Sequence, residues 1–229
     1  MPSLRAELGA TLRQAGWLIS TVSLITATSG MAIALTAERF GHRRLVLLGT
    51  ALGFLASLAG AFAPNVDLLM IGRVVEGLGF IVVAVAIPTL VVRLAAPADQ
   101  RIVLTLWSAY MPAGAGSMML LCALVLSEAS WRIAWLVAAA ASLLVMLALL
   151  CRALPRHELD PVPATRRAIL GEMIEVATSG GPLAIAFCFG AYSSCWFAIV
   201  GFLPTLQVDR LGFSTGVAAI GTALVTVAN

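Results

Sequence analysis

Arg73 and Glu76 stand three residues apart inside the run 68–92, which is otherwise apolar until its end. At that spacing two helical side chains share a face and can meet. A run of this length can cross a bilayer. A charge at membrane depth is costly unless it is paired or hydrated, so it usually faces a cavity, an ion path or a partner. Burial would raise the pKa of Glu76 and make it a protonation site. The plainer reading is an intrahelical pair near the outer interface that only stabilises its helix. Tyr192, Ser193, Ser194 and Trp196 form a second polar and aromatic group within an apolar run, where they would line a cavity or simply pack.

Other chemistry finds little support. Cys122, Cys151, Cys188 and Cys195 lie in or beside apolar runs. Cys188 and Cys195 share a helix face but stand about 10 Å apart along it, too far for a disulfide. A zinc site would need further ligands, and neither histidine lies in an apolar run. No nucleophile–base pair has recognisable spacing, so the chain reads as a non-enzyme with no metal and no cofactor.

Composition explains where such residues must sit. The chain is 61% hydrophobic and 11% charged, with mean hydropathy +1.01. Soluble domains carry about 25% charged residues. The apolar runs are unbroken rather than alternating, so the spanning elements are helices and not barrel strands. The fold class is all-α: a polytopic membrane bundle of about six full transmembrane helices and a truncated seventh. Spans are expected at about 16–37, 45–63, 68–92, 103–126, 133–150 and 182–203, with a short apolar run from Val217. Residues 152–179 form the longest polar segment, with three prolines, and read as a linker. The domains are thus 1–151, a linker at 152–179, and 180–229 as the start of a second bundle.

Between the first two spans lies Ala34-Leu-Thr-Ala-Glu38-Arg39-Phe-Gly41-His42-Arg43-Arg44, which reads as a tight loop. If that loop is cytoplasmic, Arg39, Arg43, Arg44, Arg93, Arg101, Arg152, Arg156, Arg166 and Arg167 are inside, against Arg5, Arg13, Arg132 and Arg210 outside. The bias fits the positive-inside rule, and the linker is cytoplasmic on the same count. All basic charge is arginine, at the ends of apolar runs, where it can reach headgroups; it is no nucleic-acid signature. The partners expected are a small solute, a proton and the lipid bilayer.

Two outer segments repeat: Pro2-Ser-Leu-Arg-Ala-Glu7-Leu8-Gly9-Ala-Thr11 and Pro204-Thr-Leu-Gln-Val-Asp209-Arg-Leu211-Gly212-Phe-Ser214. Each precedes an apolar run, the pattern of parallel halves joined by a linker. In the second copy a full span precedes the proline; in the first only Met1 does. The expectation is a fragment of a protein about twice as long.

On these residues the whole chain resembles the major facilitator superfamily of secondary transporters. The arginine loop is similar to that family's G-x-L-A-D-R-x-G-R-R motif, with Ala34 for the leading glycine and Glu38 for aspartate. Gly72-Arg73-Val-Val-Glu76-Gly77 is similar to its R-x-x-Q-G motif, with Glu76 for glutamine. Met111-Pro112-Ala-Gly114-Ala-Gly116 partly matches its G-P-x-x-G-G motif, without the leading glycine, and implies a kinked, closely packed helix at Pro112, Gly114 and Gly116. Trp131-Arg132 also resembles the family. The resemblance implies secondary active transport by alternating access in a cell (inner) membrane, with the proton as coupling ion. It makes Glu38, Arg39, Gly41, His42, Arg43 and Arg44 a cytoplasmic latch, and Arg73, Glu76, Tyr192 and Trp196 the coupling or substrate residues. The competing reading is a sensor, receptor or scaffold without transport. A retinal receptor would need a lysine for its Schiff base, and the chain has none.

Overall fold

In a computed structural model the described residues are Leu4, 7–125, 130–151, Gly171 and 174–227, without the side chains of residues 12, 35, 36, 38, 39, 122–125, 197, 205, 215 and 227. They form α1 (Leu12–Phe40), α2 (His42–Ala61), α3 (Val66–Leu94), α4 (Gln100–Ser108), α5 (Tyr110–Val125), α6 (Arg132–Cys151), α7 (Gly180–Leu211) and α8 (Thr215–Val227). The protein is an all-α polytopic membrane bundle. Five helical stretches are long and apolar enough to span: Arg13–Ala34, His42–Ala61, Val66–Leu94, Arg132–Cys151 and Gly180–Pro204.

Three expectations change. The stretch 103–126, read as one span, is two helices, α4 and α5, interrupted at Ala109. Pro112 supplies the reason: it has no N–H for the carbonyl of Ser108 and its ring crowds that carbonyl. The segment Ala34–Arg44, read as a loop, is helical except at Gly41, which has φ 80° and ψ 131°. Pro204 does not end its helix, and Gln207–Arg210, read as a loop, are helical. In both cases the apolar stretch stops near the expected place, at Ala34 and Pro204. The helix then continues through good helix formers such as Ala37, Leu206 and Gln207 until a glycine stops it.

The termini are chemically capped. Thr11 Oγ1 accepts from Gln14 N at 3.2 Å while Gln14 Oε1 accepts from Thr11 N at 2.9 Å, a reciprocal capping box for α1. Asn65 Oδ1 accepts from Leu68 N at 2.9 Å, and Asp67 adds negative charge to the first turn of α3. At the end of α7, Gly212 is left-handed (φ 67°), with Gly212 N donating to Val208 O and Phe213 N to Gln207 O. The bond from the left-handed glycine to the carbonyl four residues back is an αL termination.

The repeat extends to the backbone. Gly9 has φ 62° where Gly212 has φ 67°. Two residues later, Thr11 caps Gln14 N and Ser214 Oγ accepts from Val217 N at 3.4 Å. The acids, Glu7 and Asp209, precede these turns in the same way.

Contacts divide the described residues into two compact units, one from Met1–Thr105 with Ser130–Ala164, the other from Leu106–Ala129 with Thr165–Asn229. Residues 106–125 thus cluster with the second group. In the first unit, α3 packs on both α1 and α2, and α2 packs on α6. Glycines permit the closest approaches. A Cβ on Gly49 would lie 2.7 Å from Gly79 O, and one on Gly79 would lie 2.8 Å from Gly49 O. Gly77 faces α1, where a Cβ would meet Ile25 Cβ at 3.1 Å. Small residues bring backbones together where lipid tails offer no hydrophobic drive for association. Two apolar clusters occupy opposite ends of this unit: Leu18, Ala63, Val66, Leu69 and Trp131 at one, Ala37, Leu45, Val46, Val82 and Leu90 at the other.

In the second unit, α8 packs on α5 and α7. Thr222 and Thr226 are fully buried, and their hydroxyls donate at 2.8 Å to Ala218 O and Thr222 O. Gln207 lies over Gly221, where a Cβ would meet its Nε2 at 2.9 Å.

Gly49→Ala and Gly79→Ala should each lower stability by about 1–3 kcal/mol, the usual penalty for overpacking. Gly53→Ala should be tolerated, because its Cβ would meet only Ser142 Oγ at 3.7 Å. Unfolding midpoints of the three variants in one detergent check this.

Candidate functional site

Arg73 lies in the first third of α3, and three elements hold its guanidinium. Nη1 donates to Glu76 Oε2 at 2.6 Å, one turn along the same helix. Nε donates to Leu18 O of α1 at 2.8 Å. The Trp135 ring of α6 lies beneath it, 5.6 Å from Cζ to the ring centroid. A cation over an indole face contributes about 0.5–2 kcal/mol, more as water is excluded. Arg73 and Glu76 side chains remain 23% and 28% exposed, so the pair is neither sealed nor freely solvated. Trp135 reaches this place because Gly60 has no side chain: a Cβ there would sit 2.4 Å from ring atom Cε3.

One turn nearer the helix end is a second polar node. Glu7 Oε2 accepts from Trp131 Nε1 at 2.6 Å, and its Oε1 accepts from Arg132 Nη2 at 2.8 Å. Arg132 Nη1 also donates to Ala61 O and Ala63 O at 2.9 and 3.0 Å. These carbonyls lie at the end of α2, where a cation complements the helix dipole. The Arg132 guanidinium stacks over Trp131 at 4.5 Å. The hydrogen bond from Arg132, then that from Trp131, holds the Glu7 carboxyl below the usual carboxylate range, against a smaller opposing effect of desolvation. Sequence reasoning left Glu7 and Trp135 out of the site. The signal was the acid shared with Asp209 in the repeat, together with tryptophans at positions 131 and 135, four residues apart on one helix face.

The arginine segment lies at the other end of this unit. Gly41 alone separates α1 from α2. His42 is buried and Arg44 exposed. Arg43 Nη2 approaches Leu149 O at 3.4 Å, in the last turn of α6, and its Nε is buried with no partner among the described residues. This contact of Arg43 is within its own unit. The Glu38 and Arg39 side chains lie outside the described set, as does that of Cys122.

Tyr192 and Trp196 belong to α7 in the second unit, Tyr192 half exposed and Trp196 partly buried. The Tyr192 ring stands 6.4 Å from that of Phe189. Gly116 is buried in α5, whereas a Cβ on Gly114 would meet nothing within 4 Å. Cys151, Cys188 and Cys195 are free and exposed.

A helical membrane bundle with an ion pair inside a span matches known proteins along its length. The family model for the Major Facilitator Superfamily matches residues 1–229. The chain belongs to that superfamily. A puromycin resistance protein of Streptomyces alboniger is 29% identical over 86% of this chain and 38% of its own length. A methyl viologen resistance protein of Salmonella typhimurium is 29% identical over 68% of this chain and 32% of its own. A D-xylose transporter of Levilactobacillus brevis is 35% identical over 38% of this chain and 19% of its own. The chain therefore spans less than two-fifths of the length of each of these superfamily relatives.

Gly41→Ala should cost about 1–3 kcal/mol, because a side chain at φ 80° is strained. Gly114→Ala should be neutral or stabilise by up to ~1 kcal/mol, since helical alanine outranks glycine and the space is open. Denaturation of both variants beside the wild type distinguishes turn strain from packing.

Glu7 also predicts a pH window. Its folded pKa is lowered, so its stabilisation is complete above the ordinary carboxylate range and is lost as pH falls through the depressed folded value. The wild type should unfold at a higher temperature than Glu7→Gln at neutral pH, and the gap should close on acidification. Unfolding midpoints measured across pH test the sign.

Proposed function

We propose that this protein is a secondary active transporter that moves a small solute by alternating access, with the proton as coupling ion. The observation that carries the reading is the Arg73–Glu76 pair, half-shielded inside a span of a superfamily member. Arg73 has one charged partner among the described residues, Glu76 on its own helix, and two contacts to other helices. Protonation of Glu76 would release Arg73 from its ion pair while Leu18 O and Trp135 still hold it. The guanidinium would then have free donors for a solute or a carboxylate. That is a chemically simple way to link proton occupancy to an open binding position. Within the second unit, Tyr192 and Trp196 are proposed as substrate-contacting residues in their own right, Tyr192 half exposed and Trp196 partly buried.

The cell (inner) membrane is the proposed location, with the arginine end toward the cytoplasm. The arginine count in the sequence supports that orientation. In the same reading, the segment from Glu38 to Arg44 acts as a latch in one access state, and Arg43 anchors it to the end of α6.

A sensor or scaffold without flux is the second reading. It draws on the same geometry, because the contacts of Arg73 among the described residues are all within its own unit.

The protein expressed from its native gene, reconstituted in vesicles, separates the two. Puromycin, methyl viologen and D-xylose are the first solutes to test, from the names of the relatives. Transport predicts flux of at least one that requires a proton gradient and falls by about tenfold or more in Arg73→Ala, a loss of roughly 1.4 kcal/mol in the limiting step. Unaltered flux in that variant removes Arg73 from the mechanism. Saturable binding without flux favours the sensor.

A further inference from the structure

Arg73 is gripped from outside its own helix at two points, and these belong to different helices. Leu18 O is on α1 and the Trp135 ring is on α6. The spacing between those two groups sets where the guanidinium can sit. Yet α1 and α6 share little direct packing; each is built mainly against α3 or α2. Their separation at this end is set indirectly through α3 and α2, and by whatever ties them to each other directly.

Glu7 occupies the position to do so. It lies just before the left-handed turn at Gly9 that leads into α1. Its two carboxylate oxygens accept from Trp131 and Arg132, at the start of α6. Arg132 extends the tie to the end of α2 through Ala61 O and Ala63 O. Trp131 is 8% exposed and packs in one apolar cluster with Leu18, Val66 and Leu69, against which Trp135 also packs. Trp131 immediately precedes α6 and its carbonyl accepts from Ala134 N, while Trp135 sits in the first turn of that helix, so a displacement of the first is passed to the second. The same displacement is resisted at Gly60, where the Trp135 ring has no room to slide toward α2.

We propose that Glu7 is a positioning residue for Arg73, acting through Trp131 and Arg132 on Trp135. The carboxylate closes the entry of α1 onto α6 and thereby sets the Leu18 O to Trp135 gap that holds the guanidinium. Without it, Arg73 keeps Glu76 but loses a defined seat between the two neighbouring helices. The effect on transport rests on the reading of Arg73 as a coupling group. The link from Glu7 to Trp135 does not, and it is read without flux.

The test is fluorine NMR of the protein expressed from its native gene with 5-fluorotryptophan, which labels its five tryptophans. Trp131→Phe and Trp135→Phe assign the two signals. Arg73→Lys should shift the Trp135 signal, as a marker of the cation over that ring. Glu7→Gln should shift both Trp131 and Trp135 while leaving Trp107 and Trp196, which lie in the other unit, in place. A shift of Trp131 alone overturns the proposal, since the node would then be local. A shift of all the signals also overturns it, since the variant would then loosen the whole protein. If Glu7→Gln does not fold, Glu7→Asp keeps the charge one methylene shorter, and a smaller joint shift of Trp131 and Trp135 is judged by the same criterion. Loss of flux in Arg73→Ala bears only on transport and leaves this outcome untouched.

Discussion

The close approach of α2 and α3 at Gly49 and Gly79 is the constraint on which the first unit depends. Two backbones meet there with carbonyl oxygens where side chains would otherwise stand. In a bilayer, apolar side chains gain nothing by leaving lipid tails for each other, so association rests on packing and polar contacts. Glycine at the crossing lets α3 lie against α2, and Gly77 lets its neighbouring face lie against α1. With α3 held in that position, Arg73 comes within reach of Leu18 and Trp135. The apolar clusters at either end follow from the same arrangement.

Polar groups are confined to places where the packing can satisfy them. Arg132 takes up carbonyls that the end of α2 leaves without helical partners, and Glu7 accepts from Nη2 of Arg132 and from the indole N–H of Trp131. Buried threonines in α8 return their hydrogen bonds to their own helix. This is the economy expected where water is scarce: each donor has an acceptor close to hand. Arg43 Nε is the exception among the described residues, and it sits in the segment the superfamily motif marks.

Much of the fold could be read from hydropathy, because the bilayer acts on long runs rather than on single residues. The spans that begin at Arg13, His42, Val66, Arg132 and Gly180 follow that signal. Hydropathy did not locate helix ends. It responds to the lipid boundary, while a helix continues until capping chemistry stops it, as at Gly41 and Gly212. It also missed the interruption at Ala109, where one proline matters more than the apolar residues around it. Of the site, Arg73 and Glu76 were legible from their i, i+3 spacing alone. Trp135 was not, because its role depends on an absent side chain at Gly60, 75 positions away in the chain. Glu7 was visible as part of a repeat, but its partners are set by how the helices pack.

The single residue between α1 and α2 has a mechanical meaning. Gly41 offers two soft dihedrals and no spare length. The helices on either side are therefore joined as by a rigid coupling rather than a tether. One residue more would turn His42 and all that follows by about 100° around the helix axis. Arg43 would leave Leu149, and the glycine face of α2 would leave α3. Register is thus transmitted from the end of one span to the middle of the next, and the connector tolerates a change of chemistry far better than a change of length.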